Sequence, residues 1–402
     1  MLCAILLCAC RSGVPMLPDG DTAEPGDTAA LTFGPALPFG LPEETVRPQH
    51  HATVAVTPSG QVVAAWTLGE LFQPHEAWLR VAQPDGTSVR LLSLGTGMRA
   101  KIPDVEIGAD GVALIGMEVD GVGVGLQALD LTGSAGGDRP VALLGDEAVS
   151  GGGNIVDIAP APDGSVFAAW YSGDTDQPGV YRAGGIGAVD SGAVAVAGFG
   201  NMQHTLPNPP DVVATWGGAA IAWADAQPDI ERLVVTRSGA PGELGAEVVV
   251  ETLVPNSLLV PRPALAADSA GRLAIAWRRG PKVGQRTLFV ATVGTDDRVD
   301  GPLALPFGGD RPDVALIGDE LLLIAYEQDD GIFVAALSFP ALQVLIPPVR
   351  ITDPSVVAER PSLATRAMGP NNGTFAVSYE KRLLDVPRTL QVVVGAIDYA
   401  AR

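Results

Sequence analysis

Cysteine is almost missing from this chain of 402 residues, and its three copies, Cys3, Cys8 and Cys10, all fall within the first ten positions. The rest of the chain therefore can form no disulfide, thiolate nucleophile or cysteine zinc site. Histidine is nearly as scarce, with His50, His51, His75 and His204 as the full set. His50-His51 lacks the further ligands that a metal site needs, so no metal is expected. Positive charge is also short. With 25 Lys+Arg against 46 Asp+Glu, the formal net charge is −21, and such a surface repels nucleic acid and anionic membranes. Beyond the first residues no apolar run approaches the ~18 residues that span a bilayer. The sequence holds no HExxH, phosphate-loop or nucleophile-elbow motif, and no cofactor is expected.

Glycine (49) and proline (34) are abundant. Together they make up about a fifth of the chain, against about 12% in average usage. Long helices cannot absorb that load, whereas short strands with tight turns can. The apolar residues follow the same logic through a phrase that recurs seven times. Each copy has an apolar run, a turn and a second apolar run ending in Trp66, Met117, Trp170, Trp223, Trp277, Tyr326 or Tyr379. Six residues earlier stands Gly60, Gly111, Gly164, Gly217, Gly271, Glu320 or Gly373, and successive copies are 49 to 54 residues apart. A strand-built repeat of that length is one blade of a β-propeller.

The sequence thus predicts an all-β, seven-bladed β-propeller of four-stranded blades. In the fifth copy, strands are expected at 263–268, 272–277, 287–293 and 301–306. The terminal aromatic fills the gap between twisted blades, and the turn glycine supplies positive φ. The last copy ends after its third strand, near 391–398. The segment Gly34–Gly40 repeats the outer-strand pattern of Gly301–Gly308. An N-terminal strand around Leu31–Leu37 is therefore expected to complete the last blade, because an open ring would expose an edge.

The opening MLCAILLCACRSG resembles the end of a bacterial lipoprotein signal, with Leu7-Cys8-Ala9-Cys10 as lipobox and Cys10 as the lipidated residue. The resemblance lacks a basic n-region and a full apolar stretch, which puts the expected start upstream. Residues 11–28 read as an acidic tether rich in Pro, Gly, Asp and Thr. The expected organisation is a partial signal at 1–10, that tether, and a propeller over 29–402. It implies export, with an outer-membrane or cell-surface lipoprotein as the leading location and a periplasmic or secreted protein as the alternative.

Several copies begin with a basic residue close to a proline: Arg47-Pro48, Arg262-Pro263, Arg311-Pro312 and Arg360-Pro361, with Lys101-Ile102-Pro103 as a variant. Asp104, Asp211 and Asp313 each follow a proline. In four-stranded blades these positions and the B–C loops open on one face. They form either a mixed-charge mouth that grips a carboxylate or sugar acid, or a set of structural ion pairs between blades. The arginines resemble the cluster of sialidase propellers, and Lys101-Ile102-Pro103 is similar to their Arg-Ile-Pro motif, although lysine lacks the planar fork and the Asp-box is missing. The blade layout resembles NHL-type propellers more closely. The principal expectation is a non-enzymatic, monomeric surface propeller that binds a protein or glycan through its loops. The alternatives are a sialidase-like glycosidase or lyase using the arginine-rich mouth, and a structural lipoprotein of the envelope.

Overall fold

The computed structural model describes residues 28–41, 47–69, 75–94, 99–108, 111–119, 123–131, 142–144, 156–161, 166–172, 177–183, 210–227, 230–238, 245–253, 263–280, 286–368, 372–383 and 386–400. Strands β1 (Thr28–Phe33) and β2 (Leu37–Pro38) come first. They are followed by a sheet of β3 (Gln49–Val56), β4 (Val62–Leu68), β5 (Glu76–Ala82) and β6 (Ser88–Ser93). The next sheet holds β7 (Ala100–Ile107), β8 (Ala113–Val119), β9 (Gly123–Leu129) and β10 (Ala142–Leu144). A three-stranded sheet has β11 (Val156–Pro160), β12 (Val166–Ser172) and β13 (Gln177–Ala183). Then come β14 (Asp211–Thr215), β15 (Gly218–Gln227), β16 (Ile230–Ser238) and β17 (Val248–Leu253), and after them β18 (Ala264–Ala267), β19 (Leu273–Arg279), β20 (Thr287–Val293) and β21 (Val299–Gly308). The last two sheets are β22 (Asp310–Ile317), β23 (Leu321–Gln328), β24 (Gly331–Ser338) and β25 (Val344–Arg350), then β26 (Val357–Ala367), β27 (Asn372–Leu383) and β28 (Val386–Ala400) with β1 and β2.

The protein is an all-β propeller with four-stranded blades. Among the described residues six sheets carry four strands or more, so the expected count of seven such blades is corrected to six. The remaining sheet, β11 to β13, has three strands there. The first strands pack side by side in a closed circuit, β3, β7, β11, β14, β18, β22, β26 and back to β3. Closure is antiparallel and joins the two ends of the chain: Leu31 pairs with Ile397 and Leu37 with Val392.

The local chemistry follows the repeat. Gly60, Gly111, Gly217 and Gly271 adopt positive φ in their turns, which only glycine does without strain. The sheet of β22 places its positive φ at Gly318 instead, two residues before Glu320. The second strands are buried on both sides, as strands between two blades must be. Trp66, Met117, Trp223, Trp277, Tyr326 and Tyr379 are all buried. The residue before each closing side chain is Ala, Gly or Ser because the next blade's first strand lies against it. A Cβ on Gly116 would stand 2.6 Å from Ile158 Cγ2, closer than packed carbon atoms approach.

Residues 1–27, which include Cys10 and nearly all of the expected acidic tether, lie outside the described residues, as do Gly164, His204 and Arg262.

Candidate functional site

The first strand of four blades carries the same irregularity near its start. Between His50 and Thr53, Lys101 and Asp104, Asp310 and Asp313, and Glu359 and Ser362, three steps on the first strand face two on the second. One extra residue is inserted, which is a β-bulge. Its second residue has positive φ in every case: His51 (50°), Ile102 (48°), Arg311 (47°) and Arg360 (56°). Such values are uncommon outside glycine, and four at one equivalent position mark a designed feature. In three of the four the bulge turns its amide toward the preceding blade.

The residue directly after the closing aromatic answers that amide from the preceding blade. Glu380 Oε1 accepts from His51 N (2.8 Å), Thr67 Oγ1 accepts from Ile102 N (2.7 Å), and Glu327 Oε1 accepts from Arg360 N. The β18–β21 blade breaks the rule because Arg278 occupies this position and cannot accept. Arg311 N donates instead to the neighbouring Asp310 Oδ1 (3.0 Å), and Arg278 Nη1 pairs with Asp310 Oδ1 (2.9 Å). Arg286 pairs with the other oxygen of Asp310.

Each described cation expected at the mouth has a carboxylate partner in its own blade. Lys101 Nζ lies 2.8 Å from Glu118, Arg311 Nη1 2.9 Å from Glu327, and Arg360 Nη1 3.0 Å from Glu380. Arg47 precedes β3 and is not the counterpart of Arg311; His51 is. Arg47 joins Glu76 (2.9 Å) and the Leu68 carbonyl (3.0 Å) of its own blade. Asp104, Asp211 and Asp313 stand further in, on the inner strands. Each accepts the amide of a first strand in the next blade: Ile158 N (2.9 Å), Leu265 N (2.6 Å) and Leu363 N (2.7 Å) respectively. These bonds tie neighbouring inner strands together.

The site gathers around Glu327, Glu380, Asp310 and Arg360. Glu380 is almost wholly enclosed, with its side chain 1% exposed. It accepts from His51 N, Arg360 Nη1 and Arg388 Nη1 (2.9 Å), and His50 Nδ1 stands 3.6 Å away. Burial alone would raise its pKa. The nearby His50 ring, the Arg360 charge and the His51 amide outweigh burial and hold it at about 2. Glu327 goes the other way. Burial raises its pKa, and the Arg311 charge and the Arg360 amide offset this only in part. Glu327 and Asp310 keep exposed surface, 16% and 15%, so both can reach a ligand at the mouth, whereas Glu380 cannot.

The position that Glu327, Glu380 and Glu118 share was missed in the sequence, although its signal was simple: it is the residue after the closing aromatic. Asp157 was missed too. It lies thirteen residues before Trp170, as Asp104 lies thirteen before Met117 and Asp313 thirteen before Tyr326.

No protein-family model matches the chain, and no curated protein does. Solved structures do match in fold. A protein of unknown function from Dyadobacter fermentans aligns over 92% of this chain and 99% of its own, with a TM-score of 0.50 and 12% identity. The Penicillium chrysogenum alpha-L-arabinanase, complexed with arabinobiose, covers 90% and 98% with a TM-score of 0.47 and 12% identity. The NanB sialidase from Streptococcus pneumoniae covers 89% and 70% with a TM-score of 0.47 and 8% identity. At these identities the likeness is one of fold. The neighbours are of arabinanase and sialidase type, and they do not support the NHL-type resemblance. The expectation of a non-enzymatic binding propeller is corrected by the same finding, since the neighbours of stated activity are glycoside hydrolases.

Proposed function

We propose that this chain is a glycoside hydrolase acting on an acidic sugar at the charged mouth between the β18–β21, β22–β25 and β26–β28 blades. The observation that carries the reading is the pair Glu327 and Asp310, two carboxyl groups that keep exposed surface at the mouth, one beside Arg311 and the other between Arg278 and Arg286. Burial raises the pKa of Glu327, and a carboxylic acid set near a second, cation-held carboxylate is the pairing that glycoside hydrolysis uses.

Glu327 is the general acid. Its raised pKa keeps a proton available for the leaving-group oxygen, and its side chain has surface at the mouth. Asp310 supplies the second carboxylate of the reaction, oriented by Arg278 and Arg286. Glu380 is a positioning residue, since it is enclosed and fixes Arg360, Arg388 and the His51 bulge. Three guanidinium groups, Arg278, Arg286 and Arg311, stand around two carboxylates, Asp310 and Glu327. That local excess of positive charge, in a chain of net charge −21, favours a substrate bearing a carboxylate.

The test is hydrolysis of aryl glycosides of acidic sugars, with neutral sugars as controls. The expected result is cleavage of an acidic glycoside that falls about 10²–10⁴-fold in Glu327→Gln, with Tm unchanged. The rate should also fall as pH rises through the raised Glu327 value, because the acid is then deprotonated. An inactive wild-type chain, or an active Glu327→Gln with an unchanged pH profile, would overturn the assignment.

A further inference from the structure

The mouth does not use the acidic residues deeper in the ring. Asp104 and Glu106 on β7, Asp157 on β11, Asp211 on β14 and Asp313 on β22 lie on the innermost strands and are half-buried in the channel wall. Four of them are struts. Asp157 Oδ2 accepts Val212 N at 2.5 Å, in the same way that Asp104, Asp211 and Asp313 hold the next blade. The struts stand next to one another: the amide that Asp104 holds belongs to the residue after Asp157, and the amide that Asp157 holds belongs to the residue after Asp211. Carboxylates crowded in this way repel one another when all are ionised, and a retained proton relieves that repulsion.

We propose that these carboxyls form a proton-holding lining of the channel that locks the ring at acid pH and loosens it as the lining ionises. The surroundings fit this assignment. The cations on the elements packed against these strands have partners elsewhere: Lys101 with Glu118, Arg278 with Asp310, Arg311 with Glu327, and Arg360 with Glu380. On β3 the equivalent position is the uncharged Thr53, and His50 and His51 of that strand lie beside Glu380. Glu359 on β26 pairs with Arg388. Among the described residues no group of three or more His, Cys, Asp or Glu is arranged to hold a metal ion. Burial is the largest influence on the lining and it disfavours charge, with neighbouring carboxylates adding to the effect. Asp104 is raised to about 6, and Glu106 and Asp157 rise well above the ordinary range.

The sign follows from linkage. A carboxyl whose folded pKa exceeds its unfolded value favours folding fully below the unfolded value, about 4. That contribution is lost as pH rises through the folded value, about 6 for Asp104. Thermal melts of the full chain at constant ionic strength should therefore show Tm falling by about 5 °C or more between about pH 5 and pH 8. The double variant Asp157→Asn with Asp211→Asn keeps an oxygen for each amide but cannot ionise, and it should lose at least about half of that slope. Glu327→Gln, run in parallel, separates the contribution of the mouth. A wild-type Tm that is flat or rising with pH overturns the proposal, and so does a double variant with the full wild-type slope. If the double variant does not fold, infrared spectroscopy of the wild-type chain decides. A protonated carboxyl band that persists near pH 5.5 and disappears near pH 8 supports the lining, and its absence near pH 5.5 overturns it. Calcium that restores the acid Tm at pH 8 would mark a cation site instead and would also overturn it.

Discussion

Glu380, enclosed, and Asp157, half-buried, both stand between neighbouring blades, and both accept an amide from the blade that follows. Their charges are handled in opposite ways. Around Glu380 stand Arg360, Arg388 and His50, and its pKa drops to about 2. Around Asp157 stand Asp104 and Asp211, and its pKa rises. The amide strut is common to both, so the strut does not set the ionisation. The surrounding charges set it: for Glu380 they come from its own blade and from His50 of the next, and for Asp157 from the blades on either side. The mouth gathers cations beside its acids and can hold fixed charge where a ligand arrives. The channel gathers acids beside acids, which burial tolerates only with protons retained.

The largest expected effect breaks the mouth side of this comparison. Glu380→Ala leaves two arginines and the His51 amide facing an enclosed gap, and removal of one member of a buried ion pair costs about 3–5 kcal/mol. Denaturant unfolding at neutral pH measures it, and a loss below about 1 kcal/mol would mean that Glu380 is dispensable. The pH dependence has the opposite sign to that of the channel. The folded pKa of Glu380 is depressed, so its contribution is present above the ordinary glutamate value, about 4.3. It is lost as pH falls toward about 2. The ring is thus predicted to lose the mouth in strong acid and the channel lining above pH 6, with greatest stability between those limits.

Much of the scaffold was legible in the sequence because it repeats. The closing aromatics, the turn glycines at 60, 111, 217 and 271, and the N-terminal closing strand all follow from pattern and from the need to cover an edge. The Arg-Pro pairs misled at one place. Arg47-Pro48 looks like Arg311-Pro312, but counting thirteen residues back from Trp66 gives Thr53, which puts His51 at the bulge. A dipeptide was matched where the spacing from the aromatic should have been. The site itself was less legible for a physical reason. Glu327 and Glu380 stand at the same place in their blades, and their opposite pKa shifts depend on which residues their own and the adjoining blades bring around them. No local stretch of sequence contains that information.

One junction has no side-chain acceptor at either the inner or the outer position, and it offers the finest test of the comparison. Where the other inner strands carry Thr53, Asp104, Asp157, Asp211, Asp313 or Ser362, β18 has Ala264, buried opposite Ala276. At the outer position the same blade has Arg278 in place of an acceptor. The following blade compensates with its own side chains, since Asp313 Oδ1 accepts Val314 N at 2.9 Å and Asp310 Oδ1 accepts Arg311 N at 3.0 Å. Ala264→Asn should place an uncharged acceptor toward Val314 N and stabilise the ring by about 1 kcal/mol, with no dependence on pH. Ala264→Asp should match it near pH 5, where the new carboxyl retains its proton among the channel acids. By pH 8 it should lose the gain, because the added charge joins a lining already crowded with acids. Melting curves of the two variants at both pH values make the comparison. Equal behaviour of Asn and Asp at pH 8 would show that charge in the channel is tolerated, leaving only the geometry of the strut as the reason for acidic residues there.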